Sequence, residues 1–168
     1  GKNALQSLCA LVCTHPCEDA CIRGSIDAPV KIRELKRFVL EYGKAQGWKP
    51  VWANAEPNGH KVAVIGAGPC GLSCAAELAK GGYKVTVFEK EATAGGALRY
   101  GIPDYAGHKA ALDEEVENLK ACGIEFVFNK AVTDVSELKA AGFEKVFAAV
   151  GMNKPVYSVW EGQDARQF

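Results

Sequence analysis

Two periodicities alternate along the second half of the chain, and together they predict its elements. Val62-Ala63-Val64-Ile65 is a short apolar run suited to a buried strand of a parallel sheet. A helix follows from Pro69, a favoured first-turn residue, to about Lys80, where Gly81-Gly82 stops it. Tyr83 to Glu89 gives a second strand. Leu112, Val116 and Leu119 support a helix from about Lys109 to Ala121; Gly123 caps it, and Ile124 to Phe128 makes a third strand. A short helix near Ser136 to Ala140 leads through Gly142 to a last strand, Lys145 to Val150. Strand and helix in alternation predict an α/β domain with a parallel sheet. Residues 94–107, rich in glycine, are expected as a loop or small hairpin.

The first half has a different texture. Residues 1–26 are dense in cysteine. Asp27 is a plausible N-cap, Pro29 follows it, and a helix then carries Ile32, Leu35, Val39 and Tyr42 on one face, with Lys31, Arg33, Lys36 and Arg37 elsewhere. Gly43 and Gly47 end it. From Trp48 to His60, Pro50, Pro57 and Asn58-Gly59 predict an ordered but irregular linker. The expected organisation is a helical cysteine-rich segment over 1–47, a linker over 48–60 and an α/β domain over 61–168.

With 168 residues, 48% of them hydrophobic, the chain can bury a real core. Its 20 basic and 20 acidic residues cancel, which argues against nucleic acid recognised by bulk charge. No apolar run is long enough to span a bilayer and no signal-peptide pattern opens the chain, so a cytoplasmic protein is expected. The first residue is Gly1 and the only methionine is Met152, which suggests a piece of something longer.

Gly66-Ala67-Gly68-Pro69-Cys70-Gly71 has the GxGxxG spacing in the setting that makes it informative: a strand before, a helix after, and Glu89 at the end of the next strand. Gly66 permits the tight turn, Gly68 lets backbone approach a pyrophosphate, and Gly71 lets helix and strand pack closely. The helix N-terminus offers free N–H groups and a positive dipole end. Glu89 is placed to accept hydrogen bonds from ribose hydroxyls. The turn alone does not separate FAD from NAD.

Four of the seven cysteines, Cys9, Cys13, Cys17 and Cys21, recur every fourth residue. An unbroken helix would line them up, but Pro16 lacks an N–H and should break it. Thiolates in this number suit an iron–sulfur cluster or zinc; reduced thiols packed in a small helical domain are the plainer alternative. Cys70, Cys74 and Cys122 are expected as buried core thiols. His15, His60 and His108 are scattered and receive no catalytic role. Trp48 and Trp52 are expected to pack the cysteine segment onto the α/β domain, and Asp113, Glu114, Glu115 and Glu117 to form a solvated helix face.

Beyond the turn, Phe88-Glu89-Lys90, Gly95-Gly96-Ala97-Leu98-Arg99-Tyr100-Gly101-Ile102-Pro103 and Val146-Phe147-Ala148-Ala149-Val150-Gly151 resemble a specific reductase family. That family includes the glutamate synthase small subunit, the N-terminal half of dihydropyrimidine dehydrogenase and ferredoxin:NADP transhydrogenase-type subunits. The resemblance runs from about Leu8 to Asp164, and it includes the cysteine segment with the following Asp27-to-Phe38 stretch. It implies a Rossmann-like FAD-binding domain preceded by a small α-helical iron–sulfur segment. FAD would be held by Gly66, Gly68, Pro69, Cys70, Gly71, Glu89, Lys90, Gly95, Gly96, Ala97, Leu98, Val132 and Gly151. Of these, Glu89 would hold the adenosine ribose and Val132 would meet the adenine through its backbone. Cys9, Cys13, Cys17 and Cys21 would be [4Fe-4S] ligands, with an earlier cysteine motif supplying the rest. Two departures stand out: Ala106-Gly107-His108 replaces an arginine followed by Leu-Pro, and Thr14 stands where a proline often follows the cysteine.

The implied activity is that of an NAD(P)H-dependent flavoprotein oxidoreductase passing electrons from FAD to iron–sulfur clusters. Its partner would be the remaining part of the reductase chain or a large catalytic subunit. The cofactor carries the chemistry, so no side chain is assigned as acid or base. The chain stops before any second glycine fingerprint, and by itself it is expected to bind FAD weakly and to lack NAD(P)H oxidase activity. The alternatives are a non-catalytic electron-transfer or docking module of a larger complex, and a simple NAD-binding protein.

Overall fold

A computed structural model describes residues 3–48 and 55–152. Four strands form one parallel sheet: β1 (Lys61–Ile65), β2 (Lys84–Phe88), β3 (Glu125–Val127) and β4 (Lys145–Ala148), in the order β3-β2-β1-β4. β1 starts one residue before its apolar run, whereas β2, β3 and β4 are each shorter than expected, because pairing stops where the chain turns toward a helix. The α/β reading holds. Among the described helices, α4 (Pro69–Lys80) crosses from β1 to β2, α6 (Lys109–Ala121) from β2 to β3, and α7 (Val135–Ala140) from β3 to β4. Asp134 caps α7, accepting the Ser136 N–H at 2.8 Å.

The glycine-rich stretch is not a hairpin. It forms a one-turn helix, α5 (Ala97–Tyr100), and a 3-10 turn over Asp104–Ala106. Residues in the 94–107 stretch thus turn back on themselves locally and do not pair with a strand.

Ahead of the sheet lie α1 (Gln6–Val12), α2 (Pro16–Asp19), a 3-10 turn over Ile22–Ser25, and α3 (Ile32–Ala45). Pro16 breaks the cysteine helix as expected: α1 ends before it, and His15 takes a left-handed conformation (φ 49°). Asp27 does not cap α3. It pairs instead with Arg23 at 2.8 Å, and α3 begins after Lys31, which offers no side-chain cap. The linker's residues 49–54, Trp52 among them, lie outside the described residues, as do 153–168. Trp48 stacks edge-on against Tyr42 and covers Gly43.

One core joins both halves. Ala4, Leu5 and Leu8 of the cysteine segment are buried in the same cluster as Leu72, Ala75 and Ala76 of α4, Val64, Val85 and Val87 of the sheet, and Leu112, Val116 and Leu119 of α6. Against α1, however, α3 turns Leu40 and Gly43 inward; Leu35, Phe38, Val39 and Tyr42 face outward, each at least half exposed. The apolar face was readable as helical, but it does not join this core.

Candidate functional site

Between β1 and α4 the chain makes the turn that the sequence marked. Gly66 has φ 101°, and a Cβ there would lie 2.4 Å from the Ala149 carbonyl, since the end of β4 passes directly behind it. A Cβ on Gly71 would fall 1.9 Å from the Gly66 carbonyl oxygen. Both positions therefore require glycine on steric grounds. Gly68, the N-cap of α4, instead faces open space on the turn's outer side, its nearest neighbour being Gly96. Pro69 has no N–H, Leu72 N–H is used by the Gly68 carbonyl, and helix geometry leaves the Cys70 and Gly71 amides without an intrahelical acceptor.

The second glycine pair closes the crevice's other wall. Gly95 N–H donates to the Ala67 carbonyl at 2.8 Å, and Gly96 (φ 50°) sits so near Gly68 that a Cβ would be 3.0 Å from the Gly68 Cα. Two glycine loops separated in sequence thus meet through bare backbone. Ala97 and Leu98 open α5 directly after them. Arg99 ties the far side down, donating to the Ala94 carbonyl at 2.6 Å and pairing with Asp113.

Glu89 is buried beneath the turn, not displayed at its rim. One carboxylate oxygen accepts the Ala67 N–H at 2.7 Å and the other the Glu91 N–H at 3.0 Å. A carboxylate has about four acceptor sites, so each oxygen keeps one for a hydroxyl. Lys130 N–H donates to the Glu89 carbonyl, which brings the half-buried Val132 to the same end of the sheet. Lys90 is exposed beside Glu91, and Gly151 (φ 65°) follows the Ala149 contact on the exposed side. Cys70 is exposed, against expectation, because the second residue of α4 points away from the core; Cys74 and Cys122 are half-buried, and burial pushes both thiols up.

The cysteine segment is arranged differently. Cys9 lies on α1, Cys13 closes it, Cys17 lies on α2 and Cys21 precedes the 3-10 turn. Among the described residues no three Cys, His, Asp or Glu side chains converge as a metal centre needs. Cys21 does have a thiolate-favouring setting: the amides of Val30, Arg23 and Gly24 lower its thiol. Cys13 Sγ accepts the His15 N–H at 3.3 Å.

Two buried glutamates, neither foreseen as structural, brace this segment. Glu18 accepts the Arg33 N–H at 2.8 Å at the start of α3, and Glu115 of α6 accepts the Ser7 N–H at 2.9 Å at the start of α1. The expected solvated acidic face is thus corrected at Glu115, which burial pushes up against the opposing pull of the Ser7 N–H. His108, fully buried, was also missed. Both could have been found by helical spacing: His108, Glu115 and Leu119 fall on the same side of α6 as Leu112.

Residues 64–112 match the model of an NAD(P)-binding Rossmann-like domain, and residues 1–48 match that of dihydropyrimidine dehydrogenase domain II, 4Fe-4S cluster. The chain is 37% identical, over 90% of its length, to the PreT subunit of NAD-dependent dihydropyrimidine dehydrogenase of Escherichia coli K12. Over 83% of its length it is 37% identical to the glutamate synthase [NADPH] small chain of Mycobacterium tuberculosis. It is also 40% identical, over 90% of its length, to the beta subunit of an NADP(+)-dependent formate dehydrogenase of Moorella thermoacetica. It spans 38%, 29% and 25% of these three relatives respectively. The first matched region contains both glycine loops and Glu89, and the second contains the four clustered cysteines. Among the described residues no helix is long and apolar enough to cross a membrane.

Proposed function

We propose that the crevice holds FAD and that the chain is the flavin-binding part of an NAD(P)H-dependent oxidoreductase whose electrons leave through [4Fe-4S] clusters. The observation that carries this is the meeting of the two glycine loops: Gly68 leaves open space beside the α4 N-terminus, where a Cβ would intrude, and Gly96 backs it. The amides of Cys70 and Gly71 would bind the pyrophosphate, with Pro69 setting the first turn. Glu89 would accept from the ribose hydroxyls with its remaining lone pairs, while Lys90 and the Val132 backbone would border the adenosine. Gly95, Gly96, Ala97, Leu98 and Gly151 would line the flavin side. Bound there, FAD supplies hydride acceptance and single-electron release; the protein's part is to orient it and exclude water. Cys9, Cys13, Cys17 and Cys21 would contribute thiolates to clusters completed by residues elsewhere in the reductase polypeptide or a large catalytic subunit.

Anaerobic purification, followed by an absorption spectrum and assay of acid-released flavin, iron and sulfide, tests this reading. The expected result is FAD, with a broad iron–sulfur absorbance when the purified protein includes the residues that complete the clusters. A brown protein without flavin would favour the docking module, and a colourless protein that titrates with NADH would overturn the FAD assignment.

A further inference from the structure

At Ala106-Gly107-His108 a 3-10 turn leads into α6, and His108 is the N-cap residue of that helix. His108 has no exposed surface, and its Nε2 lies 2.5 Å from the Leu98 carbonyl oxygen. A carbonyl only accepts, so Nε2 carries the proton and donates. Its Nδ1, equally buried, has no partner. Gly107, in the left-handed region (φ 65°), turns the chain so that this ring enters behind α5.

Leu98 is the second residue of α5, and its own N–H donates to the Gly95 carbonyl at 3.0 Å. Gly95 in turn donates to Ala67 in the phosphate turn. A continuous line therefore runs from the imidazole through Leu98 and Gly95 to the turn, 41 positions away in sequence between Ala67 and His108 (108 − 67). We infer that His108 is a positioning residue for the dinucleotide site, fixing the depth of α5 and hence the Gly95–Gly96 wall against Gly68. A polar ring with an unmet buried atom is a poor choice if filling space were its whole task, since an apolar side chain would do so without an orphaned acceptor. The inference rests on the crevice holding FAD.

The test is titration of FAD into the FAD-freed protein, read by flavin fluorescence, alongside thermal unfolding without FAD. His108→Leu should weaken FAD binding about fivefold to tenfold, the worth of one lost hydrogen bond. Its unfolding temperature should stay within about 3 °C of the parent, because the orphaned Nδ1 leaves together with the bond. His108→Gln, whose amide N–H can reach the same carbonyl, should restore binding. Equal affinity in the Leu variant overturns the inference while leaving the FAD assignment standing. So does a loss of affinity that tracks a lower unfolding temperature and is not rescued by Gln. Should the parent protein itself take up no FAD, the functional reading and this inference fall together.

Discussion

The glycine crevice and the cysteine segment share one core, yet they are organised by opposite means. In the crevice, main chain meets main chain: Gly66 against Ala149, Gly68 against Gly96, Gly95 bonded to Ala67. In the cysteine segment, side chains from a distance do the organising: Glu115 caps α1 and Glu18 caps α3, while neither helix has a side-chain cap of its own. The crevice is built from backbone that the end of the sheet brings together, with the Glu89 carboxylate beneath it. The cysteine segment is instead held by carboxylates that cap its helices from other elements.

The sharpest way to break this contrast is Gly71→Ala. Its Cβ would need to occupy space 1.9 Å from the Gly66 oxygen, and that neighbour is backbone. We expect loss of measurable FAD binding and a stability loss of about 3 kcal/mol, checked by flavin titration and denaturant unfolding. Unchanged binding would mean that the turn is not the site.

Next in size are the borrowed caps. Glu18→Ala and Glu115→Ala should each cost about 1 kcal/mol, read by urea unfolding. Glu115 also carries a pH signature. Burial raises its carboxyl in the folded protein, so the native state holds that proton more tightly than the unfolded chain. Its contribution is therefore largest below the ordinary carboxylate range and is lost as pH rises through the raised value. Glu115→Gln, whose carbonyl can still accept from Ser7, should match or exceed the parent's stability at neutral pH. The difference should shrink on acidification toward about pH 4. A Gln variant that is weaker at every pH would refute this account of the cap.

The smallest effect is expected on the outward face of α3. Leu35→Gln and Phe38→Gln should change stability of this chain by no more than about 0.5 kcal/mol; both side chains are more than half exposed. Unfolding midpoints that fall well outside that range would show that the stripe packs inside this chain.

The crevice was largely legible in the sequence because its logic is local: strand, glycine turn and helix follow one another, and steric need singles out Gly66 and Gly71. The burial of Glu89 was not, since its hydrogen bonds to Ala67 and Glu91 depend on how the turn folds over it. For α3 the period was readable but the direction was not, because that depends on how α1 crosses it. Glu115 was hidden by its acidic neighbours, and the helical turns at 97–106 were hidden by a glycine content that equally suits a hairpin. The breaking of the cysteine helix at Pro16 was foreseen because a missing N–H acts wherever it sits.

The core shared by α1 and α6 has a mechanical consequence. For the Cys9-bearing helix to swing away, Leu5 and Leu8 would return to water and Leu112 and Val116 would be uncovered. Re-exposing two leucines alone costs roughly 3–6 kcal/mol, a large part of what holds a whole domain folded, about 5–15 kcal/mol. Such a motion would be partial denaturation, not flexing, and any spacing between Cys9 and the crevice persists for as long as the protein stays folded.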